Sequence, residues 1–306
     1  MDAQQGNWLR KIGWRLEVLG YDIVRLLLSP FPLSWISAFG GKLFQLIGPR
    51  TNKHHIAETG MRIAFPDAGD DQIKAWLKES WNRSGRTFAE FPFLHRIKVF
   101  ADNSNVEVIG IEKFEELKAN QKGAILISGH FSNWELMAAV ISQSGLPSKI
   151  TYRPTNNPYF DKRIRAERAA YGTKLMVAKS GARGAKELLE ALNGGESIAF
   201  LNDQKFNEGL EVPFFGVGAM TLPGPTRLAL RTGAPLIPMS IERVKGTRFK
   251  VTIHDPIELE NTGDRDADVM AGLVKINTFV EDRIHDNPTD WFWVHRRWPK
   301  PLYRKK

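Results

Sequence analysis

Residues 124–143 read AILISGHFSNWELMAAVISQ and indicate the class of fold. The first five of them, Ala124 to Ser128, form a continuous run that is apolar up to its closing serine, which is typical of a strand buried on both faces of a sheet. A helical pattern follows from about Asn133 to Gln143. A fully buried strand that leads directly into a helix is a building unit of α/β proteins.

The chain around this segment alternates between strand and helix patterns. Strands are expected at 106–109, 149–152, 174–177, 197–201, 236–242 and 249–254. Helices are expected at 111–120, 159–171, 182–192, 224–232 and 269–286. Because crossover helices connect parallel strands, this alternation predicts an α/β fold with a mixed, mainly parallel central sheet and helices on both faces. We expect this domain to occupy residues 100–306.

The first 99 residues have a different character and contain helical patterns only. Apolar residues recur at helical spacing over 71–91, which predicts an amphipathic helix there. The most apolar part, residues 21–48, is interrupted by two prolines and two cations, so it is a poor candidate for a spanning helix of about 20 uncharged residues. Its helices either lie in a membrane interface or pack on the core as an ordinary amphipathic pair. We expect residues 1–99 to form a helical, membrane-interface region.

Composition narrows the classes of function. The chain has 306 residues, of which 42% are hydrophobic and 25% charged, and this balance is typical of a globular protein. The net charge of +9 indicates an anionic partner such as nucleic acid, an anionic membrane, a phosphorylated substrate or an acidic carrier protein. The lack of cysteine excludes disulfides, thiolate metal sites and a cysteine nucleophile. P-loop, G-x-S-x-G and H-E-x-x-H motifs are also missing.

His130 and Glu135 form the most informative pair of polar residues. His130 follows the end of the buried strand, which is where ligands bind in open α/β sheets. If Glu135 lies in the first turn of the next helix, its carboxylate can accept the Nδ1 proton and leave Nε2 as a general base. Ser132 and Glu135 also match a capping box, in which Glu135 only caps the helix. Both interpretations stay open at this point.

Several segments resemble one family in order and spacing. Besides the H-x4-E pair, they are Tyr152-Arg153-Pro154 with the downstream Arg165, Asp203-Gln204, Val212-Pro-Phe-Phe-Gly216, Gly224-Pro-Thr-Arg-Leu-Ala229 and Trp291-Phe-Trp-Val-His-Arg-Arg-Trp298. Together they are similar to the bacterial late acyltransferases of lipid A biosynthesis and to the related phosphatidylinositol mannoside acyltransferases. The resemblance extends over about residues 20–300.

The resemblance implies transfer of a fatty acyl chain from acyl carrier protein or acyl-CoA to a hydroxyl of a lipid A precursor. His130 is then the general base and Glu135 its partner, and without a serine or cysteine nucleophile the alcohol attacks the thioester directly. Arg153, Arg165, Asp203 and Gln204 are expected to bind substrate or shape the site. No metal and no cofactor are expected. The expected location is the cytoplasmic face of the inner membrane, where clustered Arg and Lys can contact anionic lipid.

Two alternatives remain. The first keeps the chemistry but changes the acceptor to a lysophospholipid, an ornithine lipid or a glycolipid. The second is a non-catalytic nucleic-acid-binding protein, which only the positive charge suggests. Such a protein would carry base-stacking aromatic residues within a basic stripe. Here the aromatic residues at 76, 81, 88 and 91 fall on an apolar helix face, so no nucleic-acid partner is expected.

Overall fold

The computed structural model describes residues 3–177 and 181–304, and the N-terminal part of it is helical as predicted. Four helices occur there: α1 (Ala3–Leu28), α2 (Leu33–Ile47), α3 (Asn52–Ala64) and α4 (Asp70–Glu90). Short 3₁₀ turns at Gly48–Arg50 and Phe91–Arg96 follow α2 and α4. The predicted helix at 71–91 agrees with α4 to within one residue at each end, because its apolar period is regular and the acidic residues Asp70 and Asp71 favour its N-terminus.

Strands and helices alternate from residue 106 onward. The strands are β1 (Val106–Ile109), β2 (Ile125–Ser128), β3 (Ser148–Tyr152), β4 (Leu175–Val177), β5 (Ser197–Leu201), β6 (Leu210–Phe214), β7 (Val217–Thr221), β8 (Leu236–Lys245) and β9 (Arg248–Ile253). The helices are α5 (Glu112–Ala119), α6 (Trp134–Gln143), α7 (Pro158–Ala170), α8 (Gly181–Asn193), α9 (Gly224–Thr232) and α10 (Arg265–Asp286). A last 3₁₀ turn covers Lys300–Tyr303.

Seven of these strands form a central sheet in the order β1-β9-β8-β2-β5-β3-β4. Strands β8, β2, β5, β3 and β4 are parallel to one another, and β9 runs antiparallel to β8. The prediction of a mixed, mainly parallel sheet is therefore confirmed. Parallel β2 and β5 lie side by side at the centre, so the loops that follow them emerge at the same edge of the sheet.

Alternate residues of β2 pack on opposite faces of this sheet. Leu126 belongs to the larger apolar cluster, which includes residues of α3, α4, α5 and α6. Ile125 and Ile127 belong to a second cluster with α8, α9 and the first half of α10. Helices thus cover both faces, which explains why β2 is apolar up to its last residue, Ser128.

A two-stranded hairpin, β6 with β7, was not predicted from the sequence. Its turn consists of Phe215 and Gly216, both with positive φ, which is the backbone shape of a tight hairpin turn. Asn-Gly or Asp-Gly is the usual sequence signal for this turn. Phe215 stands in place of the Asn or Asp, so the signal is missing from the sequence.

Helices α1 and α2 expose many large apolar side chains. Trp8 is 62% exposed and Trp35 is 66% exposed, and Leu16, Leu26, Phe39 and Leu46 are each more than half exposed. Among the described residues, no helix combines the length and apolarity needed to cross a bilayer. That this region lies in a membrane interface stays a prediction.

Candidate active site

His130 and Asp203 lie together at the carboxyl edge of the central sheet. Ser128, the last residue of β2, pairs with Leu201, the last residue of β5. Each functional side chain follows its strand end by two residues. Because the offsets are equal and the strands are adjacent, the two loops bring the imidazole against the carboxylate. This is the crevice in which open α/β sheets bind their ligands.

The Asp203 carboxylate determines which ring nitrogen of His130 carries the proton. Oδ1 of Asp203 is 2.7 Å from Nδ1, while Oδ2 accepts bonds from the His130 backbone N–H at 2.8 Å and from Trp291 Nε1–H at 2.7 Å. Burial raises the pKa of Asp203, but the charge of His130 and these hydrogen bonds outweigh it and lower the pKa to about 2. An ionised carboxylate only accepts, so Nδ1 carries a proton, and Nε2 presents a lone pair when the ring is neutral.

The predicted contact between Glu135 and His130 is wrong. Glu135 lies in the first turn of α6, as expected, but its carboxylate accepts bonds from Arg168 Nε at 2.9 Å, from Arg168 Nη2 at 2.5 Å and from the Tyr171 hydroxyl at 3.0 Å. The physical reason is direction: the carboxylate faces helix α7, whereas the imidazole faces the loop after β5. Asp203 therefore occupies the place that the sequence analysis gave to Glu135.

The capping-box interpretation of Glu135 is also wrong. Helix α6 begins at Trp134 after an N-cap at Asn133, and no side chain caps it. Ser132 adopts a positive φ of 45°, which turns the chain sharply before the helix. This turn shifts the helix start by one residue relative to the motif, so Ser132 is not placed to cap it.

Three further side chains surround the imidazole. Nε2 of Gln204 is 3.1 Å from His130 Nε2, so the amide donates to the lone pair that a substrate hydroxyl would otherwise approach. The Trp134 ring meets the imidazole edge-on at 5.1 Å, and the His295 ring lies 6.0 Å away. Burial, followed by the charge of His130, lowers the pKa of His295 to about 4, so this second imidazole is neutral near pH 7.

A cavity of about 410 Å³ opens beside His130. This volume lies in the range of ligand pockets. Its polar lining includes His130, Glu135, Arg153, Arg168 and Gln204. Its apolar walls come from strands β2, β3 and β5 and helices α6 and α7, including Leu126, Met137, Ala138, Ile141, Ile150, Ile164, Ala199 and Phe200. An apolar space next to a basic nitrogen suits a substrate that has a hydrocarbon chain and a reactive polar end.

Of the predicted binding residues Arg153, Gln204 and Arg165, only the first two line the cavity. Gln204 and the exposed Arg153 both line the cavity, and Arg153 has no hydrogen-bond or ion-pair partner among the described residues. Arg165 pairs with Asp161 at 2.8 Å and stacks over Tyr152, outside the cavity lining. Within residues 3–177 and 181–304, no group of three His, Asp or Glu side chains could hold a metal ion.

Buried polar groups hold the loop that carries His130. Asn133 donates from Nδ2 to Glu90 Oε2 at 2.7 Å, and the Glu90 carboxylate also receives both Nη groups of Arg243 at 2.6 and 2.8 Å. Thr87 donates to the Ser132 carbonyl at 2.9 Å. Asn133, Glu90 and Arg243 are all at most 5% exposed, so this network is shielded from water.

Most backbone N–H groups of this loop are already bonded within the protein. The His130 N–H donates to Asp203, Phe131 N–H to the Gly129 carbonyl and Ser132 N–H to the Asp290 carbonyl. Either the backbone N–H groups of this turn or the guanidinium of Arg153 could stabilise a developing negative charge. These bonds leave the unpaired guanidinium of Arg153 as the better donor.

The clustered cations are less available to a ligand than the sequence suggests. Three of the four on helix α7 are ion-paired: Arg163 with Asp22, Arg165 with Asp161 and Arg168 with Glu135. Near the C-terminus, Arg297 is fully buried and donates to the Met220 carbonyl and to Thr221. Burial lowers the pKa of Arg297 to about 10. Its neighbour Arg296 is exposed.

Several residues around His130 have positions in the site that the sequence did not reveal. Arg168 and Tyr171 hold Glu135, Trp134 covers the imidazole, and Trp291 holds Asp203. Trp291 belongs to a block that the sequence analysis had singled out, so a signal was present there. Arg168 follows Arg165 by one helical turn, but nothing in the sequence shows that it meets Glu135 across two helices.

Comparison with known proteins identifies the family. The sequence profile described as bacterial lipid A biosynthesis acyltransferase matches residues 10–300. A lipid A biosynthesis acyltransferase of Haemophilus influenzae is 26% identical, over 94% of this chain and 88% of its own length. The lipid A biosynthesis lauroyltransferase of Escherichia coli is also 26% identical, over 92% and 90% respectively.

A second group of relatives acts on a different lipid. A phosphatidylinositol mannoside acyltransferase of Mycolicibacterium smegmatis is 24% identical, over 76% of this chain and 74% of its own length. All of these relatives are acyltransferases by name, which agrees with an acyl-transfer site at the edge of this sheet. The non-catalytic nucleic-acid-binding alternative finds no support among them.

Proposed function

Because the chain belongs to the bacterial lipid A biosynthesis acyltransferase family, we propose that it moves a fatty acyl chain from a thioester donor to a hydroxyl of a lipid A precursor. The observation that carries the mechanism is the His130–Asp203 pair, in which the carboxylate holds Nδ1 while His130 lines a cavity with apolar walls. The proposed donor is acyl carrier protein or acyl-CoA.

In the proposed reaction His130 is the general base. Its Nε2 takes the proton of the lipid hydroxyl while that oxygen attacks the thioester carbonyl carbon. The tetrahedral intermediate then collapses, the carbon–sulfur bond breaks, and the leaving thiolate takes the proton back from the imidazolium. Asp203 stabilises the imidazolium and keeps its orientation. The transfer is direct, without an acyl-enzyme.

Arg153 and Gln204 are proposed to bind the reacting groups. The guanidinium of Arg153 is unpaired among the described residues and lines the cavity, so it can stabilise the negative charge on the thioester oxygen. Gln204 donates to Nε2 in the structure, and the lipid hydroxyl takes over this position when it binds. Arg165 stays a predicted binding residue, although its ion pair with Asp161 leaves it outside the cavity wall.

We assign Glu135 a supporting part in place of the predicted direct one. Its pair with Arg168 joins helix α6 to helix α7 across the cavity. Both side chains are less than a fifth exposed, so the ion pair is partly shielded from water and stronger than a surface pair. Glu135 thus maintains the cavity wall, while Asp203 acts on the imidazole.

The location is also part of the proposal. The exposed apolar side chains of α1 and α2 and the cations between them suit a protein that lies on the cytoplasmic face of the inner membrane. A lipid acceptor would then reach the site from the bilayer.

A glycolipid acceptor is the second candidate, and one finding favours it. Phosphatidylinositol mannoside acyltransferases are among the relatives, at 22–24% identity. The lysophospholipid and ornithine lipid alternatives have no comparable support.

The test is an acyl-transfer assay with purified full-length protein. Acyl carrier protein thioesters and acyl-CoA are each incubated with a lipid A precursor, a phosphatidylinositol mannoside and a lysophospholipid, and product masses are followed. We expect a precursor heavier by one acyl group. Transfer only to the phosphatidylinositol mannoside would establish the second candidate, and failure with every acceptor would contradict both.

A further inference from the structure

A row of aromatic side chains leads from helix α2 to His130. Phe44 of α2 stacks on Phe88 of α4 with 5.7 Å between ring centroids. Phe88 in turn meets Phe292 at 5.7 Å and Trp134 at 6.2 Å, and Trp134 contacts the His130 ring. We call Phe44, Phe88, Phe292 and Trp134 the aromatic strip.

The aromatic strip is exposed along part of its length. Phe88 is 46% exposed, and the other three members are each partly exposed. Rings that pack on one another in the open leave apolar area in water, which is unfavourable unless something covers it.

The strip begins on α2, the helix that also carries an exposed apolar face. That face consists of Trp35, Phe39, Leu43, Leu46 and Ile47, which are 39–66% exposed. Lys42 of α2 and Arg50, which bonds to the Leu46 carbonyl, are exposed beside it. An apolar surface bordered by cations matches a molecule with hydrocarbon chains and an anionic head, that is, an acidic lipid.

The strip and the cavity are two apolar surfaces that share Trp134 and meet at the imidazole. His130 and Trp134 line the cavity, whereas Phe44, Phe88 and Phe292 do not. Direct transfer requires the donor and the acceptor to be bound at the same time. One chain can occupy the cavity while another lies on the strip, and both then have their polar ends near Nε2.

We propose that the aromatic strip binds acyl chains that the lipid acceptor already carries, while the cavity takes the acyl chain of the donor. This inference rests on the proposed function, because it assigns one of the two substrates to a surface. The acceptor slides from the bilayer face of α2 along the rings until its hydroxyl reaches His130. A fully deacylated acceptor is therefore a poor substrate.

The kinetic test compares two phenylalanines of equal exposure. Phe88→Ser removes the centre of the strip, and Phe100→Ser changes a phenylalanine that is 47% exposed and outside the strip. Initial rates are measured in detergent micelles with the acyl carrier protein thioester and the lipid A precursor, each varied in turn. We expect Phe88→Ser to raise the acceptor KM by about tenfold, as the loss of part of a phenylalanine contact predicts, with the donor KM unchanged. Phe100→Ser should leave both constants unchanged.

Other outcomes would overturn the assignment. An unchanged acceptor KM in Phe88→Ser would exclude the strip as the acceptor site. A raised donor KM would show that the strip binds the donor. A changed oligomeric state in sedimentation, without a change in acceptor KM, would assign the strip to a contact between copies of this chain.

Photocrosslinking tests the same inference without turnover. A lipid A precursor with a diazirine in one acyl chain is bound to the wild-type protein and irradiated, and adducts are mapped by mass spectrometry. We expect adducts on the aromatic strip, and adducts confined to cavity residues such as Ile141 and Ile150 would contradict it. Crosslinking needs no acyl transfer. If adducts formed on the strip but the wild-type protein were inactive, the proposed function would be contradicted and the lipid-binding role of the strip would not.

Discussion

The imidazole of His130 owes its chemistry to one contact. Asp203 accepts from Nδ1 at 2.7 Å and is itself held by the indole of Trp291. Glu135 is closer to His130 in sequence, but its carboxylate accepts hydrogen bonds from Arg168 and Tyr171 instead. Asp203, which is 73 positions away from His130, therefore orients the ring and stabilises its cation.

The first prediction concerns Asp203→Asn. An asparagine amide can donate to Nδ1, which places the ring proton on Nε2 and removes the base. We expect kcat to fall by about 10²–10⁴-fold, the usual range for loss of general-base function, with little change in the donor KM. Initial-rate kinetics measure the fall, and ¹⁵N NMR of labelled histidine reports the tautomer.

Glu135→Gln is the matched control, since it neutralises the other buried acid of the site, which lines the cavity. It should leave the tautomer of His130 unchanged and lower the melting temperature, because Arg168 loses its charged partner in a partly buried site. If Glu135→Gln altered the tautomer and Asp203→Asn did not, our assignment of the two acids would be reversed.

At the level of elements, helix α4 joins the N-terminal region to the active loop. One side of α4 contacts α2, where Arg86 donates to Ser37 and Phe88 stacks on Phe44. Another side carries Thr87 and Glu90, which hold the loop of His130. A shift of α4 would therefore move the imidazole.

The second prediction is a double-mutant cycle on Glu90 and Asn133. Asn133→Asp places a second carboxylate beside that of Glu90, and the two repel each other. Glu90→Gln leaves Arg243 without its charged partner. Each single change should therefore lower both the stability and kcat. The pair of changes together reverses the direction of the hydrogen bond and keeps one carboxylate in the network. We expect a favourable coupling of about 0.5–3 kcal/mol in the free energy of unfolding. Strictly additive effects would show that the two side chains act independently.

The third prediction compares two helical glycines. A Cβ at Gly85 of α4 would overlap the Gly40 carbonyl oxygen and the Phe44 Cβ, so Gly85→Ala should cost about 1–3 kcal/mol of stability by overpacking. Gly20 of α1 is exposed with nothing within 4 Å of its Cβ position, so Gly20→Ala should add about 0.5–1 kcal/mol. Chemical denaturation measures both, and a neutral Gly85→Ala would contradict the close packing of α2 on α4.

At the level of the whole molecule, two half-buried histidines link stability to pH. Burial lowers the pKa values of His254 and His295 to about 4, against 6.5 for an ordinary histidine. Between these values the unfolded chain binds protons that the folded protein does not. Stability therefore rises with pH from about 4 to 6.5 and is lost as pH falls through that window.

The fourth prediction follows from this linkage. The melting temperature of the wild-type protein should fall between pH 6.5 and pH 4, and the double variant His254→Gln, His295→Gln should show a smaller fall. Differential scanning calorimetry at several pH values measures the slope. An equal slope in both proteins would mean that other groups cause the acid sensitivity.

The helix and strand patterns allowed most elements to be predicted to within a few residues. The apolar run of β2 indicated burial on both faces, and the regular period of α4 indicated a surface helix. The hairpin of β6 and β7 was missed because its turn lacks the usual residues. Local periodicity is visible in a sequence because it depends only on neighbours along the chain.

The sequence by itself also determined the family and placed His130 at the end of a buried strand, while the resemblance named Asp203 as a residue of the site. Only the tertiary structure decided which acid meets the imidazole. Strand order sets β5 beside β2, and the turn at Ser132 with its positive φ directs the first turn of α6 toward α7. Strand order and the direction of a side chain across a helix interface arise from packing between distant segments, and no spacing along the chain records them.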